Sequence, residues 1–307
     1  MGPHSNALEL ISSPHRLSAA RAAPLSVITV LRNEMFMLPH FLAHYRRLGV
    51  ESFLVADNCS DDGTLEHLLE QPDVAVFSVD TDYARSHYGV DWQQALIGAF
   101  RVGCWSLVVD ADELLVLPEG LPDVAALLAH PALAHSDALR GFLLDMYPGG
   151  PLEAANFASG DLFGEAGFLD RDPMRTNSMG RGPFCNAPTW TSALRHRLMP
   201  GARGELFVAQ KYPLMRYHPA MRLSAGLHYL GEATVAAPEL LLAHFKYNAD
   251  FRRKAQAEVI RRQHFNNAEE YSKYLALMSE GRDVIHDPAL SVPWRDADFV
   301  KKRLSWD

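Results

Sequence analysis

Between Leu25 and Val109 the chain alternates repeatedly between a short apolar run and a longer stretch of helical periodicity, and each apolar run ends in a polar cluster. The runs are Leu25–Leu31 (LSVITVL), Ser52–Ala56 (SFLVA), Val74–Val79 and Trp105–Val109 (WSLVV). Short apolar runs rich in β-branched residues are expected as strands buried on both faces. Between the first two, Leu38, Phe41, Leu42, Tyr45 and Leu48 fall at helical spacing, and Gly49 is a natural stop. Thr64–Glu70 is expected as a helix after the polar turn DNCSDDGT. Trp92–Val102 is expected as another, with Trp92, Leu96, Ala99 and Phe100 on one side. Strands alternating with helices predict a parallel α/β sheet. Right-handed crossovers then bring all the strand C-termini to one edge, where open sheets bind ligands. Four polar clusters converge there: Arg32-Asn33-Glu34, Asp57-Asn58, Asp82–Arg85 and Asp110–Glu113.

The rest of the chain is less regular. Residues 1–24 are expected as a loose arm. Leu139–Tyr147, Leu206–Met215 and Leu240–Phe245 read as strands, and residues 148–190 as a long irregular stretch rich in Gly, Pro, Asn and Asp. Irregular stretches of that length usually serve function or motion. Asp250–Phe265 reads as a basic helix and Asn267–Ser279 as a second helix. The division expected is a ligand-binding half at 25–118, a second half at 119–248, the two together forming one domain, and a helical segment at 249–307. No internal repeat appears.

Composition excludes several classes. A net charge of -8 argues against general nucleic-acid binding. Cys59, Cys104 and Cys185 are far apart, without a CxxC pair, which suggests neither a zinc site nor a disulfide framework. A reducing compartment fits best, and Cys104 reads as a core residue. The first residues lack a signal-peptide h-region, and no stretch nears the roughly 18 apolar residues of a membrane span. The expectation is a cytoplasmic protein, with peripheral contact at the inner membrane face left open.

Asp110-Ala111-Asp112-Glu113 carries the most specific chemistry. If the chain stays extended beyond the strand, Asp110 and Asp112 share a side. Two such carboxylates suit a hard divalent cation, Mg²⁺ or Mn²⁺, which keeps positions free for phosphate oxygens. Asp57 could accept a hydrogen bond from a base N–H or a ribose hydroxyl, or merely order its turn; Asp61 and Asp62 read as turn caps. Arg32, Asn33 and Glu34 are candidates for phosphate and ribose contact, against a local salt bridge that orders the turn. Arg85 and Lys211 could also reach phosphate. Tyr147, Trp190, Tyr212 and Tyr217 could stack on a sugar, though core packing is the commoner role of such residues.

The segment VITVLRNEMFMLPHFLAHYRRLGVESFLVADNCSDDGT, followed by WSLVVDADELLV, resembles the family 2 glycosyltransferases and their relatives. It is closest to a subgroup that reads RNE, then L-x-x-F/W-x-x-H-Y/H, LGV, DN-x-S-x-DGT and D-x-DE. The likeness is close over residues 25–118 and loose over 119–270. It implies a GT-A-like, Rossmann-type, mainly parallel sheet flanked by helices, followed by an irregular acceptor region and C-terminal helices. It also implies a nucleotide-diphosphate sugar as donor, with a UDP-sugar expected first, a glycan or lipid-linked acceptor, and inversion at the anomeric carbon. Asp57 would contact the base, Asp110 with Ala111 the ribose side, and Asp112 the metal. A late histidine often joins the metal in similar enzymes, and a late basic residue meets the diphosphate; His244 and Lys246 in LLLAHFKY take those places, against the ordinary role of a core histidine. An inverting enzyme needs a general base. The acid pair that usually heads a helix in the family is absent here. Asp145, Asp161, Glu165, Asp170, Asp172 and Glu205 are candidates, with Asp170 and Asp172 preferred.

Three other readings compete. A sugar-nucleotide-forming nucleotidyltransferase would need a Gly-rich phosphate loop after the first strand, where LRNEMFML offers none. A non-catalytic carbohydrate-binding protein on a transferase fold would not need an intact DxDE. A phosphohydrolase with an aspartyl nucleophile would place its DxD near the first strand, so the motif order argues against it.

Overall fold

The computed structural model describes residues 7–178, 188–263 and 265–306. Cys185 lies outside the described residues. The chain divides into two compact units, the first formed by residues 1–141 and 211–240, the second by 142–210 and 241–307. Residues 211–240 belong to the first unit although residues 142–210 before them belong to the second.

The first unit carries β1 (Glu9–Leu10), α1 (Pro14–Ala22), β2 (Leu25–Leu31), α2 (Leu38–Arg47), β3 (Phe53–Asp57), α3 (Thr64–Glu70), β4 (Val74–Ser78), α4 (Val90–Phe100) and β5 (Trp105–Val108). The strand order is β1-β4-β3-β2-β5, followed by the strand Gln210–Arg216. β2 runs parallel to both β3 and β5, and β3 parallel to β4. β1 is antiparallel to β4 at one edge of the sheet, and Gln210–Arg216 is antiparallel to β5. α4 packs on β2 and β3, while α1 and α3 pack on β4. The core is made by the fully buried runs the sequence marked, among them Ile28, Leu54, Ala56, Ala75 and Val108, sealed by Trp92, Leu96 and Ile97 of α4. The fold is α/β with a mainly parallel sheet flanked by helices, as expected. The chain moves from β2 outward to β3 and β4, then returns to the other side of β2 with β5. The carboxyl ends of β2 and β5 therefore flank the topological switch point, where such sheets open a crevice for ligand.

The N-terminal expectation is corrected. Residues 7–24 are ordered rather than a loose arm. Glu9 and Leu10 pair with Ser78 and Phe77. α1 begins at Ser13, whose hydroxyl accepts from His15 N. Its far end is held by the fully buried guanidinium of Arg101. Nη1 donates to Ala20 O (2.8 Å), Arg21 O (3.2 Å) and Ala23 O (2.8 Å), and Nη2 to Trp105 O (2.6 Å). The first three are carbonyls of a helix end and the turn after it, closed by a residue some eighty positions later, so no local pattern announces the docking, while Trp105 O belongs to β5. Arg101→Met should leave these carbonyls unpaired in a dry place and cost about 2–4 kcal/mol. Urea unfolding and limited proteolysis of residues 1–24 would check this; an unchanged midpoint and an uncut segment would refute it.

The second unit has its own core of Tyr147, Leu194, Phe207, Tyr247, Phe251, Ala255, Tyr271, Tyr274 and Met278. It is closed by the packed helices Phe251–Arg261 and Phe265–Ser279. The stretch expected to be irregular contains short antiparallel pairs, Phe168–Asp170 with Ser291–Pro293 and Met174–Ser178 with Pro188–Ser192. The single strand expected over Leu206–Met215 is a 3-10 turn, Gly204–Phe207, and then the strand Gln210–Arg216; the turn lets Leu206 and Phe207 both enter the core. A short helix, Asp298–Leu304, lies in the C-terminal segment expected to be helical. Cys104 is half-buried rather than core. Among the described residues no helix is long and apolar enough to cross a membrane.

Candidate active site

The loops that follow β2 and β3 are knitted together. Asn33 is left-handed (φ 55°), and its side chain exchanges bonds with Asp61: Nδ2 donates to Asp61 Oδ1 (2.7 Å) and Oδ1 accepts from Asp61 N (2.8 Å). Asn33 N donates to Ser60 Oγ, Glu34 N to Thr64 Oγ1 and Met35 N to Asp62 Oδ2. Asp62 Oδ1 also accepts from Thr64 N at the start of α3. Arg32 Nη1 donates to Asn58 O (3.0 Å), and Asn58 Nδ2 bridges to Val79 O and Thr81 O beyond β4. Much of the RNE and DNCSDDGT pattern is thus a set of polar clasps that fixes three strand ends. Asp61 and Asp62 are turn-ordering residues, as read from the sequence. Arg85 is exposed on the loop after β4.

Asp57 closes β3 and is only 1% exposed. Its Oδ2 accepts from Ser60 N (3.1 Å), while its buried Oδ1 has no hydrogen-bond partner among the described residues. Burial pushes its carboxyl above the usual range, against the lowering pull of Ser60 and Arg32. An unsatisfied buried carboxylate oxygen is costly and calls for an explanation.

β5 ends at Val108, and Asp110–Glu113 is a turn closed by Glu113 N donating to Asp110 O (3.0 Å). The chain therefore does not stay extended through the acidic motif, which corrects the condition placed on it. The side chain of Asp110 is half-exposed, while Ala111, Asp112 and Glu113 are buried. The reason for the bend lies in what the turn satisfies. Glu113 Oε2 accepts from Asp110 N (2.9 Å) and from Lys211 Nζ (2.6 Å), and Lys211 Nζ also reaches Asp110 Oδ2 (3.2 Å). Burial opposes the charge on Lys211, but the two carboxylates win and hold the ammonium well above its ordinary range. From the other side, Tyr45 OH donates to Glu113 O and accepts from Leu115 N, and His44 Nε2 meets Leu115 O (2.9 Å). Burial pushes His44 down to about 4, so it is a neutral donor here. The His-Tyr pair of α2 is therefore an anchor for the segment after the acidic turn. Lys211 and Glu113 form a clamp that sequence reasoning did not assign, although the DxDE spacing contained half of it.

In the second unit, His244 is buried and its Nδ1 lies 2.7 Å from Asp145 Oδ1. Arg195 Nη2, which can only donate, also lies 3.2 Å from the same Nδ1. Arg195 grips the same carboxylate with two bonds of 2.9 Å, and Ser192 Oγ donates to it. Burial would raise the Asp145 carboxyl, but Arg195 and His244 outweigh it and hold it well below the carboxylate range. A carboxylate behind an imidazole is the usual support of a ligating or proton-handling histidine. Lys246 is buried, donates to Glu270 Oε1 (2.8 Å) and lies over the rings of Tyr271 and Tyr274. Burial lowers it, against the raising effect of Glu270.

Most of the carboxylates considered as bases have other work. Asp170 takes Arg197 Nε (3.0 Å), Arg197 Nη2 (2.7 Å) and Tyr147 OH (2.7 Å). Asp161 caps the turn at Leu162–Glu165, and Glu165 accepts from Phe157 N and Ser159 N. Asp172 and Glu205 are exposed. Tyr147 is fully buried, and Trp190 packs edge-on against Phe142, so both serve the core.

Among the described residues no group of three or more His, Cys, Asp or Glu side chains is arranged to hold a metal ion. The acidic turn offers the carboxylates of Asp110 and Asp112, oxygen donors of the kind a hard cation takes.

No family model matches the chain. Over 131 residues it is 28% identical to a glycosyltransferase family 92 protein of Oryza sativa subsp. japonica, a stretch covering 38% of this chain and 21% of that protein. The chain thus spans about a fifth of that relative's length. Among solved structures, S. aureus TarS aligns with a TM-score of 0.33 at 14% identity, covering 84% of this chain and 43% of TarS. A 4-diphosphocytidyl-2C-methyl-D-erythritol synthase aligns at 0.29 and 16% identity, covering 58% and 79%. Overlaps this loose carry no argument about activity.

Proposed function

We propose that this chain is a glycosyltransferase that moves a sugar from a nucleotide-diphosphate donor to an acceptor hydroxyl, with the nucleoside seated at Asp57. The observation that carries the reading is the orphan Oδ1 of Asp57. It is a buried carboxylate acceptor at the end of β3, one strand from the switch point of a parallel sheet. A base N–H or ribose hydroxyl is the partner it lacks. The partial likeness to a family 92 glycosyltransferase supports the same class, and the order of motifs supports a family 2-like donor site.

In this reading Asp110 and Asp112 would hold Mn²⁺ or Mg²⁺, and the bound ion would supply charge neutralisation for the diphosphate leaving group. The acceptor oxygen attacks the anomeric carbon, the bond from that carbon to the diphosphate oxygen breaks, and the hydroxyl proton passes to a base. Attack from the face opposite the leaving group inverts the anomeric centre. The clasped loops of Arg32–Glu34 and Asn58–Thr64 supply a rigid floor for the nucleoside.

The test is a thermal-shift screen of UDP, GDP, CDP and dTDP, each with and without Mn²⁺, on wild type and Asp57→Asn. A ligand that binds only the native state raises the melting temperature. Wild type should respond to one nucleotide. Asp57→Asn should lose that response, yet be more stable without ligand by on the order of 1 kcal/mol, or about 2–4 °C. The sign follows from the raised carboxyl. The cost of ionising Asp57 in the fold appears as pH rises from the unfolded value through the folded one, so at neutral pH the wild type bears it in full. No shift with any nucleotide, or an equal shift in the variant, would sink the assignment.

A further inference from the structure

The strand Gln210–Arg216 pairs with β5 in a register that sets Leu214 opposite Leu107, Met215 opposite Ser106 and Arg216 opposite Trp105. Continued toward its start, that register brings Lys211 opposite Asp110. The Lys211 side chain is 2% exposed, and so is that of Glu113, whereas Asp110 is 53% exposed. One ammonium therefore serves an inner carboxylate, Glu113, and an outer one, Asp110, that faces solvent. The turn is held together in the free protein by one ammonium shared between two carboxylates. A divalent ion approaching Asp110 alone would meet a carboxylate already shared and a fixed positive charge beside it.

We infer that Lys211 is the built-in counter-ion of the acidic turn: it keeps Asp110–Glu113 assembled without a divalent ion and opposes capture of a free one. The cation then enters together with the nucleotide diphosphate, whose negative charge offsets the ammonium. The inference rests on the donor-site reading above. Lys211 acts through Asp110 and Glu113 and is a positioning residue.

The experiment is a titration of the full chain with Mn²⁺, read by the paramagnetic resonance of free Mn²⁺ and by melting temperature. It is done with and without each nucleoside diphosphate, for wild type, Lys211→Met and Lys211→Arg. Wild type and Lys211→Arg should take up Mn²⁺ only when a nucleotide is present. In Lys211→Met the affinity for Mn²⁺ alone should rise at least about tenfold, and Mn²⁺ alone should raise the melting temperature as it replaces the missing cation. Equal uptake of free Mn²⁺ by wild type and Lys211→Met, or none by the variant, overturns the proposal. If Lys211→Met does not fold, the wild-type titration still decides: uptake of Mn²⁺ alone as tight as with nucleotide overturns it. Failure of every nucleotide to bind wild type refutes the donor-site reading instead, while the comparison with Mn²⁺ alone still judges the counter-ion.

Discussion

Asp112→Ala is expected to lower sugar transfer by at least about a thousandfold, equivalent to roughly 4 kcal/mol of transition-state stabilisation, while the protein stays folded. Asp112 is buried next to a turn whose shape is secured by other atoms: the Glu113–Asp110 backbone bond, the Lys211 clamp and the Tyr45 hydroxyl. Truncating it removes a carboxylate without removing any of these. The loss should fall on kcat/KM for release of nucleoside diphosphate from the nucleotide sugar, with circular dichroism and melting temperature close to wild type. An alanine variant that transfers at the wild-type rate would end the metal-assisted mechanism, and one that unfolds would make Asp112 a structural residue.

Arg195→Met is expected to destabilise the protein by about 3–5 kcal/mol, the range seen when one partner of a buried ion pair is removed. The Arg195 and Asp145 side chains are 7% and 3% exposed. Without the guanidinium, Asp145 keeps Ser192 and His244 as partners among the described residues, and Glu270 loses a second cation at 3.9 Å. The same pair sets an acid limit. Because Asp145 is depressed in the fold, its contribution is complete above its unfolded value of about 3.9. It is lost as pH falls from there toward the folded value. Urea midpoints measured from pH 7 down to pH 3 should therefore fall more steeply for wild type than for Arg195→Met. A variant within about 1 kcal/mol of wild type at pH 7 would show that the pair is expendable.

The sheet was legible because its information is local. LSVITVL, the run ending in Asp57 and WSLVV each declare a strand within seven residues, and α3 spans the residues expected, Thr64–Glu70. The positions of Asp57 and Asp110 at strand ends follow from that alone. Features that depend on distant partners were not legible. Nothing near residue 20 announces Arg101, and nothing near Asp145 announces Arg195. The bend at 110–113 depends on Lys211, about a hundred residues away. Asp170 looked free in sequence because Arg197 and Tyr147 meet it only after the chain has folded back twice. Local pattern reports burial and periodicity; the partner of a buried charge is a property of the whole chain.

The clasp between Asn33 and Asp61 has a consequence for the cost of recognition. Loops that become ordered only around a ligand lose conformational entropy at binding, and that loss weakens affinity. Here the loops after β2 and β3 lose it once, at folding, through bonds to each other. A nucleotide arriving at Asp57 should therefore leave the hydrogen exchange of residues 58–64 almost as slow as before, and its affinity should depend little on how mobile those loops could have been.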